Sequence, residues 1–314
     1  MGNPALASDC VFSPRAPLAS KPRALYTSQR IFLIGTHLTA PFDDMLFAAI
    51  VEAARAAGTL ALGFFRPDAQ TSAAVAYKAG NSPVTEADRQ ADALLKHRLC
   101  ALVPQAAWLS EETPDGPDRL GAAKLFIVDP IDGTRAFMSG DRRWAVSVAL
   151  VEHGRPVMAV VHAPALGQTF AAALGQGAWL NNGMIKVADA APAAGLRLAA
   201  PKFLADALRQ DGLDFALVPK IPSLAWRFAS VAAGWLDIGL ASPQAHEWDI
   251  AAADLILHEA GGCLVDLDGQ CVRYNQARTQ QGILVAAPRH SAAAFAARAK
   301  KAFDSRPGVL SHSG

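Results

Sequence analysis

The sequence lacks the features that mark several large classes of protein. Its four cysteines form no C-x-x-C pair, which indicates reduced thiols of a cytoplasmic protein rather than disulfides or a zinc site. No apolar run reaches about 18 residues, which argues against a membrane span. With 29 basic and 28 acidic residues, the net charge of +1 provides no concentrated basic surface for nucleic acid. The sequence therefore predicts a cytoplasmic protein whose partners include no nucleic-acid polymer and no membrane.

Three catalytic signatures are also missing. The sequence contains no P-loop, no H-E-x-x-H zinc motif and no G-x-S-x-G nucleophile turn. Nothing in it indicates a covalent nucleophile. The chain has 314 residues, of which 52% are hydrophobic and 18% charged, so it is long enough for one large domain or two ordinary ones with an ample core.

The pattern of helical and strand-like segments changes near residue 185. Residues 43–185 combine helices with a run of consecutive strands, which predicts an α+β half containing an antiparallel meander. Residues 186–314 alternate short strands and helices, which predicts an α/β half that completes the site and binds the leaving group of the substrate. Residues 1–42 are rich in basic residues and Ser, and part of them resembles an organellar transit peptide. We interpret them as a disordered or extraneous N-terminal extension, or as sequence upstream of a true start at Met45.

The most informative stretch is Asp129-Pro130-Ile131-Asp132-Gly133-Thr134. It follows an apolar run that predicts a buried strand. The strand therefore ends in two carboxylates, and Gly133-Thr134 can open a helix whose main-chain amides point outward. A strand end with two acids beside a helix N-terminus can hold a divalent metal ion and a phosphate together.

Two further acids lie at the ends of predicted elements. Glu111 follows a short strand, and Asp249 begins a helix. If the strand before Glu111 neighbours the strand that ends at Asp129, the two acids converge. Four carboxylates can bind two or three Mg²⁺ ions, which clamp the oxygens of a phosphoryl displacement and lower the pKa of a bound water. The structural alternatives are a solvated pair of acids at Glu111 and a dipole-favoured helix start at Asp249.

Thr85 and Asp88 resemble a capping box at the start of another helix. Capping is the structural alternative for both residues. The functional hypothesis is that Asp88 accepts a hydrogen bond from the hydroxyl of Thr134, and that this pair orients and deprotonates a water molecule.

Taken together, the 129–134 stretch, Glu111-Glu112 and Trp248-Asp249 resemble the motifs of the inositol monophosphatase superfamily, in the family's order and over about residues 44–303. Its members are Mg²⁺-dependent, lithium-sensitive phosphomonoesterases. The resemblance implies an α+β/α/β fold, layered as an α-β-α-β-α sandwich, and a monomer or homodimer. The roles that it implies are metal binding by Glu111, Asp129, the Ile131 carbonyl, Asp132 and Asp249, water activation by Thr134 with Asp88, and phosphate binding by Gly133 and Thr134.

Other residues bear on the substrate, a small phosphorylated metabolite. The run from Lys78 to Asp88 is similar to the bacterial 3'(2'),5'-bisphosphate nucleotidase branch, which implies that Lys78 binds substrate. In that branch a helical cation faces a second phosphate, and Arg227 stands at the corresponding position. The alternative is that Arg227 is a solvated helix residue. Residues 240–246 contain no acid, whereas inositol monophosphatases usually carry a Glu there, and this difference argues against inositol.

The leading hypothesis is therefore a nucleotidase acting on adenosine 3',5'-bisphosphate. An inositol-1-monophosphatase or broad sugar-phosphate phosphatase is the first alternative. Arg135-Ala136-Phe137 also resembles the histidinol-phosphate phosphatase branch. An inactive, ligand-sensing relative is a further alternative, but such a protein should have lost at least one of the metal or water-activating residues, and all are present.

Overall fold

The computed structural model describes residues 43–188 and 195–305. The predicted extension over residues 1–42 lies outside them. Within the described residues the helices are α1 (Asp44–Leu62), α2 (Glu86–Leu102), α3 (Thr134–Ser139), α4 (Lys202–Gln210), α5 (Leu224–Ala232), α6 (Glu247–Glu259) and α7 (Arg289–Asp304). The strands are β1 (Val75–Tyr77), β2 (Pro83–Thr85), β3 (Ala107–Ser110), β4 (Lys124–Asp132), β5 (Ala145–Glu152), β6 (Arg155–Ala163), β7 (Gln168–Ala173), β8 (Gly177–Leu180), β9 (Gly183–Met184), β10 (Leu196–Ala199), β11 (Phe215–Leu217), β12 (Ile238–Ala241), β13 (Gly262–Asp266) and β14 (Leu284–Pro288).

The larger sheet has seven strands in the order β3-β4-β5-β6-β7-β8-β9. β3 runs parallel to β4, and every later neighbour is antiparallel. Short turns join most of the consecutive strands, and one of them contains Asn181, which adopts a positive φ of 54°. The antiparallel meander predicted from the sequence is confirmed.

β1 and β2 form a separate antiparallel pair. The smaller of the two main sheets has five strands in the order β11-β10-β12-β14-β13. β10 pairs in parallel with β11 and β12, whereas β14 pairs antiparallel with β12 and β13. All its strands follow residue 185 and all strands of the larger sheet precede it. The division of the chain into two functional halves at that residue stays a prediction.

The helices lie in three layers around the two sheets. α1 and α2 pack on the larger sheet, and α4 and α7 pack on the smaller one. α5 and α6 contact strands of both sheets and lie between them. Because both sides of α6 are covered, nearly every side chain from Ile250 to Leu257 is buried. The layered α-β-α-β-α sandwich is confirmed.

Helix α1 is the one helix in the described part of the chain that is long and apolar enough to cross a membrane by length and composition. The sequence was expected to contain no such segment. The helix packs against α2 and against β5 and β6. Its buried positions recur at helical spacing and are Ile50, Ala53, Ala54, Ala57, Gly58 and Ala61. Packing in the protein core therefore accounts for its apolar face.

Candidate active site

Glu111 and Asp129 meet because the strands that precede them are parallel neighbours. Ser110 of β3 pairs with Val128 of β4, so the next residue of each strand reaches the same edge of the sheet. The main-chain amide of Glu111 donates a hydrogen bond to the carbonyl of Val128 at 3.3 Å. The predicted convergence of the two strand ends is confirmed.

Asp129 and Asp132 are brought together by an irregularity in β4. Two residues three positions apart on a regular strand point to opposite faces of the sheet. Here the pairing of β4 with β5 shifts register between Asp129 and Asp132, because Asp129 pairs with Ser147 and Asp132 with Ala145. A bulge of this kind re-aims a side chain, and it allows both carboxylates to lie in one group.

Asp249 joins this group from the first turn of α6. Its carboxylate accepts a hydrogen bond from the main-chain amide of His246 at 2.7 Å, which fixes the side chain at the helix start. One carboxylate oxygen from each of Asp129, Asp132 and Asp249 lies within 4.8 Å of the others. Three of the four predicted metal-binding carboxylates therefore form one compact group.

The environment of this group opposes negative charge. Burial, followed by repulsion from Glu111 and Asp132, raises the pKa of Asp129 well above its usual value. Burial and repulsion from Asp132 do the same for Asp249. Burial raises the pKa of Asp132 to about 6, although hydrogen bonds from the start of α5 oppose the shift. Clustered carboxylates that repel one another are stabilised by a divalent cation, and all-oxygen donors suit Mg²⁺.

The hydroxyl of Thr134 lies beside this group, at the start of α3. Its Oγ1 is 3.1 Å from a carboxylate oxygen of Asp88 and 3.1 Å from the carbonyl oxygen of Ile131. The other oxygen of Asp88 accepts hydrogen bonds from the amide and hydroxyl of Thr85 at 2.7 and 2.5 Å. Burial raises the pKa of Asp88 to about 6. The predicted capping box and the predicted Thr134–Asp88 hydrogen bond are both present.

A profile of the inositol monophosphatase family matches residues 43–303. The chain belongs to the inositol monophosphatase family. The 3'(2'),5'-bisphosphate nucleotidase CysQ of Aggregatibacter actinomycetemcomitans is 34% identical over 249 residues, which cover 74% of this chain and 88% of that protein. The histidinol-phosphatase of Chlorobaculum parvum is 32% identical over 229 residues, covering 70% and 85%. The IMPase structure from Thermotoga maritima superposes with a TM-score of 0.66 at 27% identity, covering 81% of this chain and 96% of that one.

Membership of the inositol monophosphatase family makes the chain a phosphatase that acts on small phosphorylated compounds. The family is in general Mg²⁺-dependent, and the three aspartates form a group that can bind a metal ion. The family, the fold and the enzyme class predicted from the sequence are therefore confirmed. The identity of the phosphate ester is a finer question.

Glu111, the fourth predicted metal ligand of this family member, is paired with Lys78. The ammonium of Lys78 lies 3.0 Å from a carboxylate oxygen of Glu111 and 2.8 Å from one of Glu112. Burial raises the pKa of Glu112 to about 7, although the hydrogen bond from Lys78 opposes the shift. The sequence led us to expect contact between Lys78 and the substrate, and it gave no sign of this double ion pair.

Arg227 lies on α5, and its guanidinium is turned toward the main chain. One terminal nitrogen donates to the carbonyl of Leu240 at 2.9 Å, and the other donates to the carbonyl of Ile221 at 2.5 Å. Its Nε is buried and has no hydrogen-bond partner within the described residues. These contacts tie α5 to the segment before it and to the end of β12. Binding of a second phosphate by Arg227 stays a prediction.

Ser223 is a site residue that the sequence did not reveal. Its hydroxyl donates to the carboxylate of Asp132 at 2.6 Å, and the amide of Ala225 donates to the same oxygen at 2.6 Å. Asp132 therefore caps the start of α5 while it belongs to the acidic group. Gly133 adopts a positive φ of 96°, and a Cβ there would lie 3.4 Å from the amide nitrogen of Ser223. The sequence feature that could have drawn attention to Ser223 is its place immediately before a predicted helix, because Ser is a favoured N-cap.

Proposed function

We propose that the chain is a Mg²⁺-dependent 3'(2'),5'-bisphosphate nucleotidase that acts on adenosine 3',5'-bisphosphate. The observation that carries the phosphatase chemistry is the compact group of Asp129, Asp132 and Asp249 beside the Thr134–Asp88 hydrogen bond. Three facts support the nucleotide as substrate. The run from Lys78 to Asp88 is similar to the bisphosphate nucleotidase branch, and residues 240–246 contain no acid. The relative from Aggregatibacter actinomycetemcomitans is a 3'(2'),5'-bisphosphate nucleotidase.

In the proposed site, two or three Mg²⁺ ions would be held by Asp129, Asp132, Asp249, Glu111 and the carbonyl of Ile131. When bound, such ions stabilise the charge that develops on phosphate oxygens and acidify a water molecule. The carboxylates of the protein supply the negative charge that keeps the ions in place. Their fixed positions on β4 and α6 align the phosphate with the water.

The water is activated by the protein through Thr134. The hydroxyl donates its proton to Asp88 and accepts a hydrogen bond from the water, so that the water proton passes through Thr134 to Asp88. The water oxygen bonds to phosphorus while the bond between phosphorus and the ester oxygen breaks. The ester oxygen takes a proton from solvent and leaves as an alcohol, and inorganic phosphate remains. A pKa of about 6 suits Asp88 for this role, because the carboxylate is ionised near neutral pH yet still accepts a proton.

The remaining substrate contacts belong to the same proposal. The main-chain amides of Gly133 and Thr134, at the start of α3, would hold the phosphate that is removed. Lys78 and Arg227 would contact the rest of the substrate, with Arg227 on the second phosphate. We further propose that the enzyme acts in the cytoplasm as a monomer or homodimer. The free thiols of the described cysteines, Cys100, Cys263 and Cys271, agree with a reducing compartment.

The test is a comparison of kcat/KM for adenosine 3',5'-bisphosphate, inositol-1-phosphate and histidinol phosphate at saturating Mg²⁺. We expect the bisphosphate to be preferred. A tenfold preference for inositol-1-phosphate, about 1.4 kcal/mol at the transition state, would refute the nucleotidase assignment in favour of an inositol or sugar-phosphate phosphatase. A preference for histidinol phosphate would favour the histidinol-phosphatase activity of the Chlorobaculum parvum relative. No hydrolysis of any of the three would point to the inactive, ligand-sensing alternative.

A further inference from the structure

A second buried carboxylate lies on α2, one helical turn after Asp88, and has no part in the proposed reaction. Asp92 is 8% exposed. One of its oxygens is 2.5 Å from the hydroxyl of Ser110, and the other is 2.7 Å from the hydroxyl of Thr113. These two hydroxyls lie on either side of Glu111 and Glu112. Asp92 therefore holds both ends of the turn that presents the predicted metal ligand Glu111.

The direction of both hydrogen bonds follows from the neighbouring donors. The indole N–H of Trp108 can only donate, and it lies 3.2 Å from the hydroxyl oxygen of Thr113. The main-chain amide of Glu112 likewise donates to the hydroxyl oxygen of Ser110 at 3.3 Å. Each hydroxyl already accepts one hydrogen bond and directs its own proton to Asp92. The carboxylate is thus an acceptor on both oxygens, a role that an ionised Asp fills and an Asn cannot.

We propose that Asp92 is a positioning residue for Glu111, which it acts on by fixing the turn of residues 110–113. This inference rests on the proposed function, because it takes Glu111 to be a metal ligand. Asp88 and Asp92 are four residues apart and lie on the same face of α2. One rigid helix therefore fixes the group that receives the water proton and, through the turn, the proposed metal ligand Glu111.

Glu111 depends on its turn for a fixed position, whereas the three aspartates are held by regular secondary structure. Asp129 and Asp132 belong to β4, which has a neighbouring strand on each side, and Asp249 belongs to a helix between two sheets. Glu111 instead lies just beyond the end of β3, the edge strand, where its main-chain amide donates a 3.3 Å hydrogen bond to the carbonyl of Val128. Partners that orient a metal ligand typically change metal affinity about 10- to 100-fold when they are removed.

The test measures Mg²⁺ binding to the purified full chain by titration calorimetry, with no substrate present. We expect Asp92→Asn to weaken Mg²⁺ binding by roughly 10- to 100-fold. Thr113→Val and Ser110→Ala, each of which removes one of the two hydrogen bonds to Asp92, should weaken it by smaller factors. Hydrogen exchange at the amide of Glu112 should accelerate in all three variants, because its acceptor is lost or loosened.

The matched control is Asp254→Asn. Asp254 is also a buried carboxylate in a helix, and it accepts a hydrogen bond from the hydroxyl of Tyr274 at 2.9 Å, away from the turn. This variant should keep the wild-type Mg²⁺ affinity, because an Asn oxygen at this position still accepts the hydrogen bond from Tyr274. If folded Asp92→Asn binds Mg²⁺ as tightly as wild type, the positioning role is wrong and the hydrogen bonds serve stability alone.

Failure of the variant to fold and failure of the wild type to bind Mg²⁺ have different consequences. Should Asp92→Asn fail to fold, Thr113→Val and Ser110→Ala carry the test, and unchanged affinity in both would overturn the inference. If the wild-type chain itself binds no Mg²⁺, the proposed function falls and this inference falls with it. If wild type and the variants bind Mg²⁺ equally tightly, the positioning role of Asp92 is overturned and the proposed function stands.

Discussion

The hydroxyl of Thr134 lies 3.1 Å from the carboxylate of Asp88, a residue 46 positions earlier in the chain. The proposed mechanism sends the water proton along this contact. Thr134→Val removes the hydroxyl while keeping the shape of the side chain. We expect kcat to fall by about 10²- to 10⁴-fold, the usual contribution of a general base, with little change in KM or in Mg²⁺ affinity.

Thr134→Ser is the control, because it retains the hydroxyl and should keep kcat within about tenfold of wild type. Steady-state kinetics on adenosine 3',5'-bisphosphate at saturating Mg²⁺ measure both variants. Wild-type kcat in Thr134→Val would show that the water is activated without this hydroxyl.

A substitution in the acidic group is expected to lower activity and to raise stability. Asp129→Asn removes a negative charge from a site where burial and the neighbouring acids already oppose it. Mg²⁺-dependent phosphate release should be abolished, whereas the melting temperature in EDTA should rise because repulsion is relieved. The stabilisation that Mg²⁺ gives to the wild-type chain should also disappear.

Asp268→Asn makes the same change of charge at an exposed position and should alter neither property. Its carboxylate is paired with Lys300 at the surface. Calorimetric melting with EDTA and with Mg²⁺ distinguishes the two variants. A melting temperature of Asp129→Asn below that of wild type in EDTA would contradict the repulsion described here.

Arg227 provides the sharpest test of substrate choice. Its guanidinium donates to the carbonyls of Leu240 and Ile221, so Arg227→Ala removes a positive charge and two internal contacts. If Arg227 binds a second phosphate, kcat/KM for the bisphosphate should fall roughly 10- to 100-fold more than for a monophosphate. Equal losses on both substrates would assign the residue to the packing of α5 alone. Arg227→Lys keeps the charge, and its kcat/KM for the bisphosphate should lie between the values for wild type and for Arg227→Ala.

A buried histidine predicts part of the acid sensitivity of the fold. Burial lowers the pKa of His162 to about 4 from 6.5, and its Nδ1 lies 3.0 Å from the hydroxyl of Thr169. Between pH 4 and 6.5 the unfolded chain binds more protons here than the folded chain. Stability from this residue is therefore complete above pH 6.5 and is lost as the pH falls towards 4, by up to about 3 kcal/mol.

His162→Gln should flatten this part of the pH dependence. Urea unfolding of both proteins at several values between pH 4 and 7.5 measures it, and the difference between the two curves removes the contribution of the other titrating groups. Parallel curves would mean that His162 does not titrate in this range.

The elements that local sequence determines were predictable. Thr85 and Asp88 stand at capping positions, and the apolar run before Asp129 was long enough to specify a strand. The convergence of Glu111 with Asp129 followed once two consecutive strands were assumed to be neighbours. Each of these features depends on residues close in the chain or on adjacent elements.

Other parts of the site depend on contacts that no local pattern encodes. The bulge between Asp129 and Asp132 is defined by the pairing with β5. The direction of the Arg227 side chain depends on where β12 ends. The hydrogen bonds that Ser110 and Thr113 donate to Asp92 join a turn to a helix about twenty residues earlier. Two hydroxyl residues in a turn are too common for the sequence to predict these bonds.

The hydrogen bond between Ser223 and Asp132 closes a loop of 91 residues. The entropy of closing such a loop opposes the contact until other interactions bring the two segments together. During synthesis, a nascent chain that has emerged as far as Gly195 already contains the larger sheet with Asp129 and Asp132, but it lacks the helix that orients Asp132 and the helix that carries Asp249. The chain therefore becomes able to assemble its acidic group only when most of its length has left the ribosome.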